Sequence, residues 1–441
     1  MAKCFMFCKI SASKDTIKQT IMKANKPALW VPTLYLAEGI PYTAVMILSL
    51  IFYKVEGLNN TDIALYTGWF YLPWLIKPLW SPVVEMLRTS KFWIVTCQIL
   101  LGAALGAVGL TLPFDNWLNY TLILFWLAAF MSATHDIAAD GFYIEALDDK
   151  QQAGWVGVRS TFYKIAMMLC QGGLVILAGI LEKKYSVNVA WTITFAILGA
   201  LMALFGVYHL FILPKTEKAA ALESDTKNQI RYNIWDQIKT FCLKDNLLIV
   251  LGFLLLYRLG EAQLSKMALP FLMDSPDNGG LGLSTEAVGT ISGTFGLIAM
   301  IAGGILGGIA IAAIGLRKWL IPMILCLNLP DIFYAILSAT QCDNFFAVAT
   351  VTAVEQFGYG FGFTAYSLFM LRVSKGEFST SHYAICTAFM AAGMMLPGMV
   401  SGWLQSILGY TSFFVWVTIC AIPSLILAVC AKRTKYLTDE R

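Results

Sequence analysis

The chain has 441 residues, 58% of them hydrophobic and 13% charged, with a mean hydropathy of +0.68. Soluble domains carry about 25% charged residues, so these figures exclude a soluble enzyme and indicate a multi-spanning membrane protein. The net charge of +4 is small and gives no argument for a nucleic-acid partner, so none is expected.

The opening MAKCFMFCKI has no long apolar core with a small-residue cleavage site behind it, so no signal peptide is expected. Residues 1–27 are polar and carry six lysines, from Lys3 to Lys26, which reads as a cytoplasmic tail. Spanning helices are predicted at roughly 28–54, 62–87, 91–113, 118–147, 151–181 and 188–213. A second set is predicted at 245–273, 285–314, 317–339, 344–373, 379–407 and 410–431. Each has the ~20 residues a helix needs to cross a bilayer. Between the sets, 214–244 reads as a polar linker. It ends in an amphipathic surface helix with Ile230, Ile234, Trp235, Ile238 and Phe241 on one face. Residues 432–441 form a second tail. The expected organisation is therefore an all-α membrane protein with six-helix bundles at 28–213 and 245–431.

Charge asymmetry orients the chain. With the N-terminus inside, 23 of the 31 Lys and Arg fall in inside loops and tails, and only Lys54, Lys183 and Lys184 fall outside. Both termini are therefore expected in the cytoplasm.

The ten cysteines sit mostly in apolar runs, with no C-x-x-C and no His/Cys cluster, so they read as small buried hydrophobes. No metal or cofactor is expected. No G-x-S-x-G, H-E-x-x-H or Walker A motif is present, which argues against an enzyme.

The most informative stretch is SATHDIAADGFYIEAL, Ser132–Leu147, in the second half of the fourth span. A carboxylate inside a bilayer is costly and marks a pairing or functional site facing the protein interior. Asp136 and Asp140 are four apart and share one helix face. Other membrane-embedded acids are Glu38, Glu145, Glu261, Asp331 and Glu355; the bases are Lys77, Arg159, Lys164, Arg258 and Lys266. Lys77, Glu145 and Asp331 lie near span ends and are expected to pair or snorkel. Glu38 stands beside Gly39 and Pro41, where a kink would expose backbone to a cavity. Arg258 and Glu261 are three apart on span seven, the counterpart of span one in the second repeat. A carboxylate poised near neutrality could carry a proton, which makes Asp136, Asp140, Glu261, Glu38 and Glu355 the proton-coupling candidates. Arg159, Arg258 and Lys164 could hold an anionic substrate, with Tyr257 and Tyr359 beside them. Glycine pairs such as Gly303/Gly307 and Gly358/Gly362 read as helix-packing faces.

Six plus six spans with a linker resembles the major-facilitator layout, with a substrate path between the halves at mid-membrane. The loop KPLWSPVVEMLRTSK stands where such proteins keep an acid–base gate, for which Glu85 and Arg88 are candidates. Arg317 is the candidate in the matching loop, where Ala312 takes the acid position.

The chain also resembles the AmpG-like branch of the peptide/acetyl-coenzyme A/drug transporter family. The likeness rests on EGIPYT (38–43), KPLWSPVVE (77–85), HDIAADGFYIEAL (135–147), YRLGEAQLSKMALPFLMD (257–274) and SHYAICTAFMAAG (381–393). Departures are His135 for the usual Gln, and Glu85 and Glu261 where Asp is common. The resemblance implies a monomeric transporter of the bacterial inner membrane that imports anhydromuropeptides, sugar–peptide fragments of peptidoglycan recycling, by proton symport. The alternative within transport is an exporter of drugs or other amphiphiles, or a carrier of another anionic metabolite.

Overall fold

The computed structural model describes residues 26–214, 234–376 and 378–438. The predicted N-terminal tail, most of the linker and the last three residues lie outside the described residues.

The described chain is helical, and the helices follow the hydropathy runs. Among the described residues nine helical stretches are long and apolar enough to cross a membrane; the helices at the first six predicted spans are α1 (Pro27–Val55), α2 (Asn60–Trp69, continued by Leu72–Leu87), α3 (Ser90–Thr111), α4 (Trp117–Ala146), α5 (Asp149–Met167, continued to Glu182) and α6 (Val187–Ile212). A short helix, Ile234–Cys242, precedes the second set. That set is α7 (Leu247–Met273), α8 (Thr285–Ile314), α9 (Leu316–Thr340), α10 (Phe345–Ser374), α11 (379–408) and α12 (410–431). The last two follow one another without a loop, but Gly409 has φ 71° and turns the chain between them. Only a residue without a Cβ adopts that conformation at little cost.

Side-chain caps begin many of the helices. Asn59, Thr89, Ser186 and Ser284 each accept from a backbone N–H three residues on, and Asp148 forms a full capping box with Gln151. These satisfy amides the helix itself leaves unpaired.

Several spans are broken where polar residues cluster. Pro41 interrupts α1, which continues through a π-helical stretch at Ala44–Leu48. α5 and α8 carry π-helical stretches at Met168–Leu174 and Ile291–Gly296, and α7 breaks at Tyr257–Arg258. Proline removes an intrahelical bond, and π-turns widen the ladder, so backbone groups become free at mid-membrane.

Glycines set the closest helix contacts. α3 and α6 meet at Gly102 and Gly199, where a Cβ on Gly199 would lie 2.6 Å from the Gly102 carbonyl oxygen. α8 and α10 meet at Gly303, whose Cβ would lie 2.1 Å from the Phe357 carbonyl oxygen. Gly358 and Gly362 press α10 onto α9. The small-residue faces are thus packing faces.

The two halves touch through α5 and α8, and through α2 and α11. At the first crossing a Cβ on Gly293 would lie 2.3 Å from the Gln171 backbone. At the second, a Cβ on Gly402 would lie 2.0 Å from the Asn60 carbonyl oxygen. The latter lies toward the bundle end that carries the α1–α2 and α7–α8 connections, called here the far end. The opposite end, which receives the inter-half linker, is the linker end.

Candidate functional site

The charged residues of the first half converge. α1 supplies Glu38, α2 Lys77, α4 Asp136 and Asp140, and α5 Arg159. The approach of α5 to α1 needs Gly39, whose Cβ would lie 2.8 Å from both the Tyr163 carbonyl oxygen and the Ala166 Cβ. Lys77 pairs with Asp136 and Arg159 with Asp140. The Arg159 guanidinium lies 4.4 Å from the Tyr35 ring centre and 5.5 Å from that of Tyr143, which holds it in place. Carboxylate oxygens of Glu38, Asp136 and Asp140 lie within 4.8 Å of one another. Two of the three are already engaged by bases, which makes an ion-pair network rather than a cation cage. Glu38 is buried, and its Oε2 has no hydrogen-bond partner. The Asp140 and Arg159 side chains are 38% and 31% exposed, so the network is open on one side.

The second half has a smaller counterpart. Arg258 sits at the break in α7 and grips Glu261 with two nitrogens, Nη2 donating to Oε1 at 2.7 Å. Nη2 also reaches the Tyr359 hydroxyl at 3.2 Å, and the guanidinium lies 5.0 Å from the Phe363 ring centre. Both partners of the pair are about one-tenth exposed. Tyr42 of α1 lies within electrostatic reach of Asp136 on its own half and of Arg258 and Glu261 on the other, with Tyr71 and Tyr163 beside it. An aromatic layer therefore separates two charged centres that face each other across the halves. Lys164 projects across the same cleft, its Nζ 3.8 Å from the position of a Cβ on Gly304 of α8.

Tyr257 and Glu355 lie apart from the two charged centres. Tyr257 does not border the cleft: it is fully buried, stacked on Tyr366 at 4.7 Å, with its hydroxyl donating to the Gly362 carbonyl at 2.8 Å. Its position next to Arg258 in sequence misleads because α7 turns there. Glu355 joins neither charged centre; it is buried on α10 beside Gln356. Of the expected gate residues, the Glu85 side chain lies outside the described residues. Arg88 is exposed over the Phe92 ring at 5.6 Å, and Arg317 is exposed at the start of α9.

The described structure places its tightest inter-half polar cluster at the far end instead. Lys54, ending α1, pairs with Asp274, ending α7, and both are nearly buried. Asn60 donates toward Asp274, Gln405 and Tyr410 at 3.1, 3.0 and 2.8 Å, and the Tyr410 hydroxyl donates to Asp274 at 2.6 Å. Lys183 and Glu286 form a second, more exposed pair between α5 and α8. The sequence signal was there: Lys54 and Asp274 close equivalent spans of the two repeats, with opposite charges.

Sequence reasoning also missed a buried polar chain in the first half. His135 of α4 bonds Gln98 of α3 at 2.9 Å, Gln98 bonds His209 of α6 at 2.9 Å, and His209 bonds Thr33 of α1 at 3.0 Å. Gln98 and both histidines are fully buried. Four helices are registered by this chain, which is a structural use of histidine that spacing alone does not reveal.

No family model matches the chain. Curated relatives do. The chain is 24% identical over 406 residues to the anhydromuropeptide permease of Escherichia coli K12, covering 90% of this chain and 78% of that one. It is 25% identical over 407 residues to the putative transporter AmpG 4 of Rickettsia conorii, covering 89% and 93%. Among solved structures, a mutant of the nucleoside transporter NupG superposes with a TM-score of 0.68 at 15% identity, covering 92% and 98%. A D-xylose–proton symporter gives 0.67 at 14%, covering 91% and 96%. The chain thus has the all-helical major-facilitator fold, and over most of its length it is similar in sequence to AmpG-like permeases, which makes it a membrane transporter.

Proposed function

We propose that the protein imports an anhydromuropeptide-like sugar–peptide by proton symport, through alternating access of a site between its halves. The observation that carries the proton is a charge count. Glu38, Asp136 and Asp140 form one cluster, and only Lys77 and Arg159 engage it among the described residues. If all five groups are ionised, one negative charge is left over inside the membrane. The cost of a lone carboxylate there, about 2.5–3.5 kcal/mol on insertion scales, favours a bound proton instead. Glu38 is the member without a base and with an orphan oxygen, so it is the group that carries it.

The anionic substrate would enter between Arg159 and Lys164 on one half and Arg258 and Tyr359 on the other. A carboxylate from the substrate would compete with Asp140 for Arg159 and with Glu261 for Arg258. Each displaced acid raises the negative charge near Glu38 or within its half, which ties substrate occupancy to proton occupancy. Asp136 and Asp140 set the charge that Glu38 feels, and Glu261 does the same for the second half.

The charge bias of the loops supports a cytoplasmic linker end with both termini inside. Closure at the far end by Lys54, Asp274 and Asn60 then corresponds to a cleft facing the cytoplasm, in the bacterial inner membrane. The test is uptake into proteoliposomes with Glu38→Gln. The variant is expected to bind and exchange substrate but to lose response to a proton gradient. Gradient-driven accumulation by Glu38→Gln would remove Glu38 from the role.

A further inference from the structure

α9 is not a single helix. Leu316–Asn328 gives way to a 3-10 turn at Leu329–Asp331, and Ile332–Thr340 resumes the span. Pro330 has no amide hydrogen for the Cys326 carbonyl, which leaves that oxygen turned toward α10. α10 comes so close here that a Cβ on Gly358 would lie 1.9 Å from that oxygen and 3.4 Å from the Pro330 ring.

The break holds polar atoms without a hydrogen-bond partner among the described residues. Asp331 is 1% exposed, and neither of its carboxylate oxygens has a hydrogen-bond partner. Asn328, one turn earlier, is fully buried; its amide donates to the Ile324 carbonyl at 2.9 Å, but its Oδ1 has no partner. Both residues face the side of α9 lined by α7 and α12. The Asn328 Oδ1 lies 3.1 Å from the position of a Cβ on Gly260, and Asp331 is within electrostatic reach of Cys420. The expectation that Asp331 pairs or snorkels is therefore not met.

The surrounding charges are of one sign. Glu355 of α10 and Glu261 of α7 are the charged groups facing Asp331. Glu261 is taken up by Arg258. Glu355 is 4% exposed; it accepts from the Gln356 amide at 3.0 and 3.3 Å, with the Tyr334 hydroxyl beside it. Tyr334 itself bonds Thr352 at 3.4 Å. No Lys or Arg engages Asp331 or Glu355 among the described residues. Two ionised carboxylates in a low-dielectric pocket would repel each other, and Asp331, without a single donor, would carry the full cost of burial. A proton on Asp331 changes this. It removes the charge and turns an acceptor into an O–H donor, in a break that otherwise holds only acceptors in want of one.

We propose that Asp331 and Glu355 form a second proton-binding site, inside the C-terminal half and separate from the Glu38 cluster. Asp331 carries the proton in the far-end-closed state, and Glu355 is the neighbour whose charge governs its release. The break in α9 and the glycine face of α10 make this site a joint between two helices. Movement of α10 against α9 changes the distance between the two acids and so couples proton occupancy to the position of the helices. The site rests on the proton-coupled reading above for its use in transport, but its protonation does not.

Two measurements separate the cases. The first is the infrared carboxyl stretch of purified, substrate-free protein at neutral pH. A band from a protonated carboxyl that is lost in Asp331→Asn supports the site; a wild-type spectrum in which Asp331→Asn removes nothing overturns it. Should that variant not fold, Glu355→Gln is read instead: a shift of the remaining carboxyl band supports the pair, and no change overturns it. The second uses proteoliposomes and labelled anhydromuropeptide. Asp331→Asn is expected to keep substrate exchange but to move one proton fewer per substrate than wild type, the proton on Glu38 being the one without which no response to the gradient remains. An unchanged proton count with a wild-type level of accumulation overturns the coupling role. If wild-type uptake itself proves indifferent to the proton gradient while the infrared band is present, the site stands and the symport reading fails.

Discussion

At the residue scale, exposure decides what each buried charge does when removed. The Arg159–Asp140 pair is about a third exposed, so Asp140→Asn is expected to cost on the order of 1 kcal/mol or less in stability. Transport should nevertheless be abolished, because Arg159 is then free of its internal partner. Normal uptake by folded Asp140→Asn protein would remove the span-four acid from the mechanism. The Arg258–Glu261 pair is different. It is bidentate and nine-tenths buried, and breaking such a pair costs roughly 3–5 kcal/mol. Glu261→Gln is therefore expected to lower the Tm clearly as well as transport, whereas Asp140→Asn lowers transport alone. A Tm for Glu261→Gln equal to that of wild type would show that the pair is not held as described. Sequence alone presents Glu261 as a coupling acid; the guanidinium three residues away is visible there, but the two-pronged grip is not.

At the scale of elements, the proposed alternating access places the motion at the joints between helices. The α5–α8 crossing is backbone against backbone at Gly293, so Gly293→Leu is expected to block transport, with the loss read as uptake by protein that still reconstitutes. Uptake at the wild-type rate would mean that the crossing is not a fixed contact during the cycle. At the far end, Lys54→Ala removes one arm of the cluster around Asp274 and leaves a nearly buried carboxylate without its base. Closure at that end is expected to weaken. Thr67 of α2 is fully buried, its hydroxyl accepting from Lys266 at 2.9 Å; the readout is faster modification of Thr67→Cys by a membrane-impermeant thiol reagent from the far side, in the Lys54→Ala background relative to Thr67→Cys alone. An unchanged rate would place the lock elsewhere. The spans themselves were legible to within about two residues at most ends, because a bilayer demands long apolar runs and these are written locally. The breaks were legible only in part. Pro41 announced the kink in α1, but the turn at Arg258 and the consequence of Pro330 depend on how neighbouring helices pack. Partner choice was least legible of all: Lys54 with Asp274, and Gln98 with two histidines, join residues far apart in the chain and on different spans.

At the scale of the whole molecule, the two halves are alike in plan and unlike in charge. Each brings an acid and an arginine together from its first or fifth helix, and each carries further acids beside them. The first half holds its surplus acid within an ion-pair network open on one side. The second closes its arginine pair and keeps two further acids at the α9 break. In the alternating access proposed above, the halves would rock about the α5–α8 crossing and exchange closure at one end for closure at the other. The far-end cluster and the open flank of Asp140 and Arg159 are the two faces of that exchange in the present state.

The most direct test is uptake of labelled anhydromuropeptide into proteoliposomes, with and without an inward proton gradient. Accumulation that requires the gradient, and that Glu38→Gln abolishes while leaving exchange intact, is the predicted result. Accumulation by wild-type protein without any gradient dependence, or retained coupling in Glu38→Gln, would contradict it.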